Sequence, residues 1–152
     1  MASVLKETEL AIRTDNAPGA EGRIMAVLLE WGVQVRALCS YAEGEKLMVL
    51  AVADDCRKAK QALARGGFEC KVNPVIVVGL DNRLGAMARL GRHLNSAGIQ
   101  ILYSYASYMD EAEIVAVFKT QDDTRALEVL QSSLQMIQPT AVQSAVVQSA
   151  AA

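Results

Sequence analysis

The chain has 152 residues, 52% of them hydrophobic and 21% charged, with a formal net charge of -2. That is long enough to bury a sizeable core as one domain or two small ones, and too apolar for a disordered chain. The acidic balance leaves no basic field for a phosphate backbone, so nucleic acid is not expected as a direct ligand.

The opening Met1 to Glu7 has neither a basic stretch nor an apolar run of the kind that directs secretion. No apolar run approaches the ~18 residues of a membrane span. A cytoplasmic protein with no membrane role is expected. Cys39, Cys56 and Cys70 are odd in number and fit neither a disulfide framework nor a zinc site, and they read as reduced, mostly buried thiols.

From Leu5 to Thr14 the chain alternates, with Thr8, Leu10, Ile12 and Thr14 on one side and Glu7, Glu9 and Arg13 on the other, which predicts a half-buried strand. Ile24, Val27, Leu28 and Trp31 then recur at helical spacing, and Gly32 stops the helix. Val33 to Tyr41 alternates as a second strand. After the turn at Glu43 to Glu45, Leu47 to Ala53 is apolar on both faces, as in a central strand. Asp54 or Asp55 caps a helix to about Arg65, and Phe68 to Val72 forms a short strand. The order β-α-β-β-α-β in about 70 residues is the ferredoxin-like plan.

The second half repeats it. Pro74 to Leu80 is an apolar strand, Leu84 to Ala97 a helix, Ile99 to Ser107 and Glu113 to Thr120 strands, and Asp122 or Asp123 caps a helix to about Leu134. Matching Ser40-Tyr41-Ala42 to Ser104-Tyr105-Ala106 requires a two-residue slip, which predicts a bulge or a longer strand in one copy. The fourth strand of the second copy is expected at Thr140 to Val147. The division is thus residues 1–72, residues 73–147 and a disordered tail at 148–152. The fold class is α+β: two tandem ferredoxin-like units with antiparallel sheets joined side by side and helices on one face.

The repeat is sharpest at two strand-to-helix turns. Asp15, Asn16, Pro18, Gly19 and Ala20 return as Asp81, Asn82, Leu84, Gly85 and Ala86. Gly19 and Gly85 permit a left-handed backbone or a close approach. The free N–H groups and partial positive charge of a helix N-terminus face the turn and suit a carboxylate. The Asp and Asn side chains either receive an ammonium or simply cap the helix, and the residues alone leave both readings open.

A duplicated β-α-β-β-α-β unit with an Asp/Asn-x-Pro-Gly turn resembles the ACT-domain family of amino-acid-binding regulatory modules. The strings Ala37 to Glu43 and Tyr103 to Ala106 resemble stand-alone tandem members, and the resemblance spans Lys6 to Leu134. It implies a ligand between two units, held by the turn of one and the second strand of its neighbour. By position this nominates the ten turn residues above with Leu38, Cys39 and Ser40, and Tyr103, Ser104 and Tyr105. Glu21 and Met87 stand where the family has leucine, and Leu84 where it has proline, so the two sites are not expected to be equal.

His93 reads as a part-buried histidine, and with no second histidine or paired cysteine no metal or cofactor is expected. Tyr103, Tyr105 and Tyr108 read as core or interface. Met25 and Leu29 widen the first helix's apolar stripe where the third helix has Gly91 and Asn95. With strands apolar on both faces, this predicts a further buried surface, shared between the repeats and a second chain. The expected protein is non-catalytic: a homodimer that binds a small amino acid and thereby changes how it meets a regulated partner protein. The rival readings are a small enzyme using Asp15, Asp81 or His93, and a ligand-free dimerisation module.

Overall fold

The computed structural model describes residues 2–137, with side chains as far as Leu134. The alternating stretch from Leu5 to Thr14 lies within one strand of 13 residues, Ser3–Asp15, β1, longer than the 3–10 usual in globular proteins. That length lets it serve two partners. Leu10 to Asp15 pair with β3 (Lys46–Ala53), while Ser3 to Ile12 pair with β4 (Cys70–Asp81).

β4 joins the two strands expected at Phe68 to Val72 and Pro74 to Leu80, so the division between residues 72 and 73 falls inside a strand. Pro74 does not break it, because β4 gains its second neighbour, β6 (Glu113–Thr120), only from Ile76 onward. At Pro74 the strand is still an edge, where a missing N–H is tolerated.

Thr8 stands opposite Pro74, 66 positions later, the same interval that separates the twin turns. This pair therefore marks a pseudo-twofold axis, and the units exchange strands across it. Cys70 to Asn73 complete the first unit beside Glu9 to Ile12. Ser3 to Thr8 complete the second beside Pro74 to Gly79. The slot expected for Thr140 to Val147 is filled by the start of the chain; that segment lies outside the described residues.

With β2 (Val35–Glu43) and β5 (Ile101–Tyr108) outermost, all six strands form one antiparallel sheet in the order β2-β3-β1-β4-β6-β5. Four helices, α1 (Ala20–Glu30), α2 (Cys56–Arg65), α3 (Ala86–Ser96) and α4 (Asp123–Ile137), cover one face. Leu10, Ile12, Ile24, Leu28 and Leu63 build the first core; Ile76, Val78, Leu90, Leu94, Phe118 and Leu130 build the second. Val4 packs in the second core although it precedes the first, which is the exchange expressed in side chains. Each such residue, fully buried, contributes about 1.5–3 kcal/mol.

The other face closes on itself. The sheet rolls until its edge strands meet, where Leu38 N–H donates to Ser107 Oγ at 3.2 Å. Ala37, Val52, Val75, Val77, Val115 and Val117 are buried together inside. This accounts for strands apolar on both faces: within one chain, the rolled sheet covers the surface that was expected to need side-by-side repeats and a second chain.

Both second strands carry the same register shift, at Val35/Ala37 and Ile101/Tyr103. Leu38 and Ser104 are therefore equivalent, through Ala51 and Phe118 to Leu10 and Ile76. The two-residue slip is absent, and the recurring Ser-Tyr-Ala string is out of phase: Ser40 matches Ala106. The length difference is one residue, taken up in the second hairpin.

Candidate functional site

Each strand-to-helix turn follows one backbone path. Asn16 N–H donates to Glu45 O at 2.9 Å and Asn82 N–H to Ala112 O at 2.6 Å; Ala20 N–H then reaches Ala17 O, and Ala86 N–H reaches Arg83 O. Gly19 (φ 79°, ψ 3°) and Gly85 (φ 79°, ψ 5°) occupy the left-handed region that disfavours a side chain. Leu84, fully exposed, stands in for Pro18 without altering this path.

Neither α1 nor α3 receives a side-chain cap, so the Asx residues do not perform the ordinary N-capping role. Asp15 and Asn82 instead pin their turns to the neighbouring hairpins. Lys46 on β3 bonds Asp15 and holds its carboxyl below the usual range, first by the hydrogen bond and then by its charge. Asn82 Nδ2 donates to Glu111 O at 3.2 Å. By contrast, Asp55 caps α2 and Asp122 caps α4.

Two residues that the sequence reading passed over complete the turns. Arg23 donates to Pro18 O and Arg89 to Leu84 O, both at 3.4 Å. Each guanidinium stops 3.6 Å from where a Cβ on the glycine would stand. The signal was available, since the repeat runs on as Asp-Asn-x-x-Gly-Ala-x-x-Arg to Arg23 and Arg89. Each turn thus joins an uncapped helix N-terminus, a buried alanine (Ala20 or Ala86) and a cation. That combination favours an anionic group.

The surroundings differ. Glu21 accepts from Ser40 Oγ and places a carboxylate at the first turn, whereas Met87 packs against the second core. Among the second-strand candidates, Leu38 packs in the first core and Ser104 lies exposed. Tyr103 and Tyr105 point into the rolled sheet, donating to Glu9 at 2.6 and 2.8 Å, while Asn73 Nδ2 adds a contact at 3.4 Å. Glu9 is fully buried. Burial, and then the bond to Glu9, pushes both phenols far above their ordinary range, so they remain donors. Burial, and then Glu9, also pushes the Cys39 thiol up. Among the described residues, no side chain of one second strand bonds to the other unit's turn. The second strands meet instead at a groove of about 330 Å³ between Met25, Leu38, Tyr108 and Met109.

His93 is half-buried. Among the described residues, no three His, Cys, Asp or Glu side chains gather as metal ligands, and no helix is long and apolar enough to cross a membrane.

A family model described as an ACT domain pair matches residues 8–145. Among solved structures, a Bacteroides thetaiotaomicron protein aligns with TM-score 0.76 at 22% identity, over 86% of this chain and 90% of that one. The ligand-free regulatory subunit of aspartate kinase from Thermus thermophilus aligns with TM-score 0.62 at 16% identity, over 86% and 95%. Its counterpart from Thermus flavus aligns with TM-score 0.58 at 18% identity, over 88% and 96%. At these identities the likeness is one of fold. The search of curated proteins finds no match.

Proposed function

The chain belongs to the ACT domain pair family, and from that premise we propose that it is a non-catalytic regulatory protein that reversibly binds a small amino acid at its twin turns. The observation that carries this is the matched pair of uncapped helix N-termini, each with a left-handed glycine and an arginine. The ligand's α-carboxylate sits on the helix N–H groups and the guanidinium. The ammonium meets the Asp and Asn side chains. The second turn binds more tightly, because an anion at the first faces Glu21 while one at the second faces Met87.

The two repeats, residues 1–72 and 73–147, act as one switching unit because they share β1 and β4. A ligand that prefers one packing of the helices over the sheet shifts the population toward it and changes how the protein meets a regulated partner chain. The working form is a homodimer in the cytoplasm. Exposed Leu29, Leu102 and Tyr108 are apolar surface available to a second copy.

The test is thermal unfolding against the common amino acids. A ligand at ~100 times its dissociation constant adds about 2.7 kcal/mol of stability. Arg89→Gln is expected to abolish most of that shift and Arg23→Gln less of it. No shift with any amino acid overturns the reading; turnover of a substrate would replace it with an enzyme.

A further inference from the structure

A second cavity lies on the opposite face of the sheet from the helices. Ala11 and Lys71 are cross-strand partners, as are Arg13 and Met48. Successive residues of a strand point to opposite faces, so Arg13 rises on the same side as Ala11, and Glu69, just ahead of β4, lines the same cavity. These five residues enclose about 170 Å³, with Ala11 and Met48 as the floor and Arg13, Glu69 and Lys71 as the rim. At ~30 Å³ of liquid volume per water, this is the room of about six waters, enough for a small metabolite and too little for a nucleotide.

Among the described residues, none of the three rim side chains has an ion-pair partner, although Arg13 and Glu69 are near neighbours around one cavity. The pseudo-twofold counterpart is uncharged throughout: Ser3, Leu5, Val77, Gly79 and Val115. The charge therefore belongs to one half of the molecule and not to the repeated scaffold.

We propose that this cavity is a binding site, separate from the turns, for an acidic α-amino acid. Its two carboxylates meet Arg13 and Lys71, its ammonium meets Glu69, and its short chain lies on Ala11 and Met48. Two cations and one carboxylate on the protein are the complement of two carboxylates and one ammonium on the ligand. Arginine binds a carboxylate with a two-pronged fork, so Arg13 is the stronger anchor.

The test is calorimetric titration of L-glutamate and L-aspartate into the native chain and into the chain carrying Arg23→Gln and Arg89→Gln, which disables the turns. Binding that survives in the turn variant, weakens at least tenfold with Arg13→Gln or Lys71→Gln, and is weaker for glutarate than for glutamate supports the site. Glu69→Gln is expected to erase the preference for glutamate over glutarate. Binding lost in the turn variant, unaltered by Arg13→Gln, or absent from the native chain overturns it. All three rim side chains are exposed, so melting curves of the variants should match the native one without ligand. The proposal stands or falls independently of the turn site.

Discussion

The two halves agree where the backbone needs special geometry and disagree where side chains only have to fill space. Their turns superpose to the glycine φ, and their second strands bulge at equivalent residues. Inside the rolled sheet the halves diverge: Glu9 faces Tyr103 and Tyr105 in one half, where the other has Val75 with Ala37 and Cys39. A left-handed residue tolerates essentially one amino acid, whereas a core tolerates many of similar total volume. The duplication is thus rigid at the turns and free in the interior, and a function resting on the turns keeps two copies while one resting on the interior keeps one.

The largest effect is expected where the halves have traded volume. Phe118 occupies the place that Ala51 holds in the first unit, and the compensating bulk there is Leu38, against Ser104 in the second. Phe118→Ala makes the second unit small at both positions and should cost about 4 kcal/mol. Adding Ser104→Leu should recover part of that loss, as read by chemical denaturation.

Glu9 comes next. Glu9→Ala leaves two half-buried phenols and Asn73 without their acceptor and should cost about 3 kcal/mol. Tyr105→Phe in that background should cost much less than in the native chain, because the two changes remove the same bond; additive costs would show that Glu9 and Tyr105 act separately.

The turns test the sameness of the halves. A Cβ at Gly19 or Gly85 would meet only a guanidinium at an ordinary 3.6 Å, so the cost of alanine is backbone strain, about 1–2 kcal/mol. Gly19→Ala and Gly85→Ala should therefore cost nearly the same. Unequal losses would mean that the two turns are held differently by their surroundings.

The smallest effect lies at the start of α4, where Asp123 follows the cap residue Asp122. Burial raises the pKa of Asp123, but the hydrogen bonds from Lys119 and Thr120 outweigh it and leave the carboxyl below its ordinary 3.8. A depressed folded pKa gives stability that is complete above the unfolded value and is lost as pH falls through the folded one. Stability should thus decline on acidification below about pH 4, and Asp123→Asn should flatten that limb.

Much of this was legible in the chain. Glu113–Thr120 is legible to the residue, each cap is narrowed to two adjacent aspartates of which Asp55 and Asp122 do the capping, and the 66-residue repeat places both turns. These depend on neighbours in sequence: alternation sets a strand, an aspartate three residues ahead of an N–H sets a cap, and a glycine sets a left-handed bend. Arg23 and Arg89 were equally legible, because the repeat itself names them.

What the sequence could not decide was which segments would meet. It wrote an alternating strand from Leu5 to Thr14 without saying that its first half would serve the other unit, since alternation specifies a face and not a partner. It wrote strands apolar on both sides without saying whether a second chain or a rolled sheet would cover them. It placed Tyr103 and Tyr105 on one strand face, yet only the closing of that sheet put a carboxyl from β1 within hydrogen-bonding distance. Local chemistry set the twin turns, and the exchange of β1 and β4 across the Thr8–Pro74 axis set everything around them.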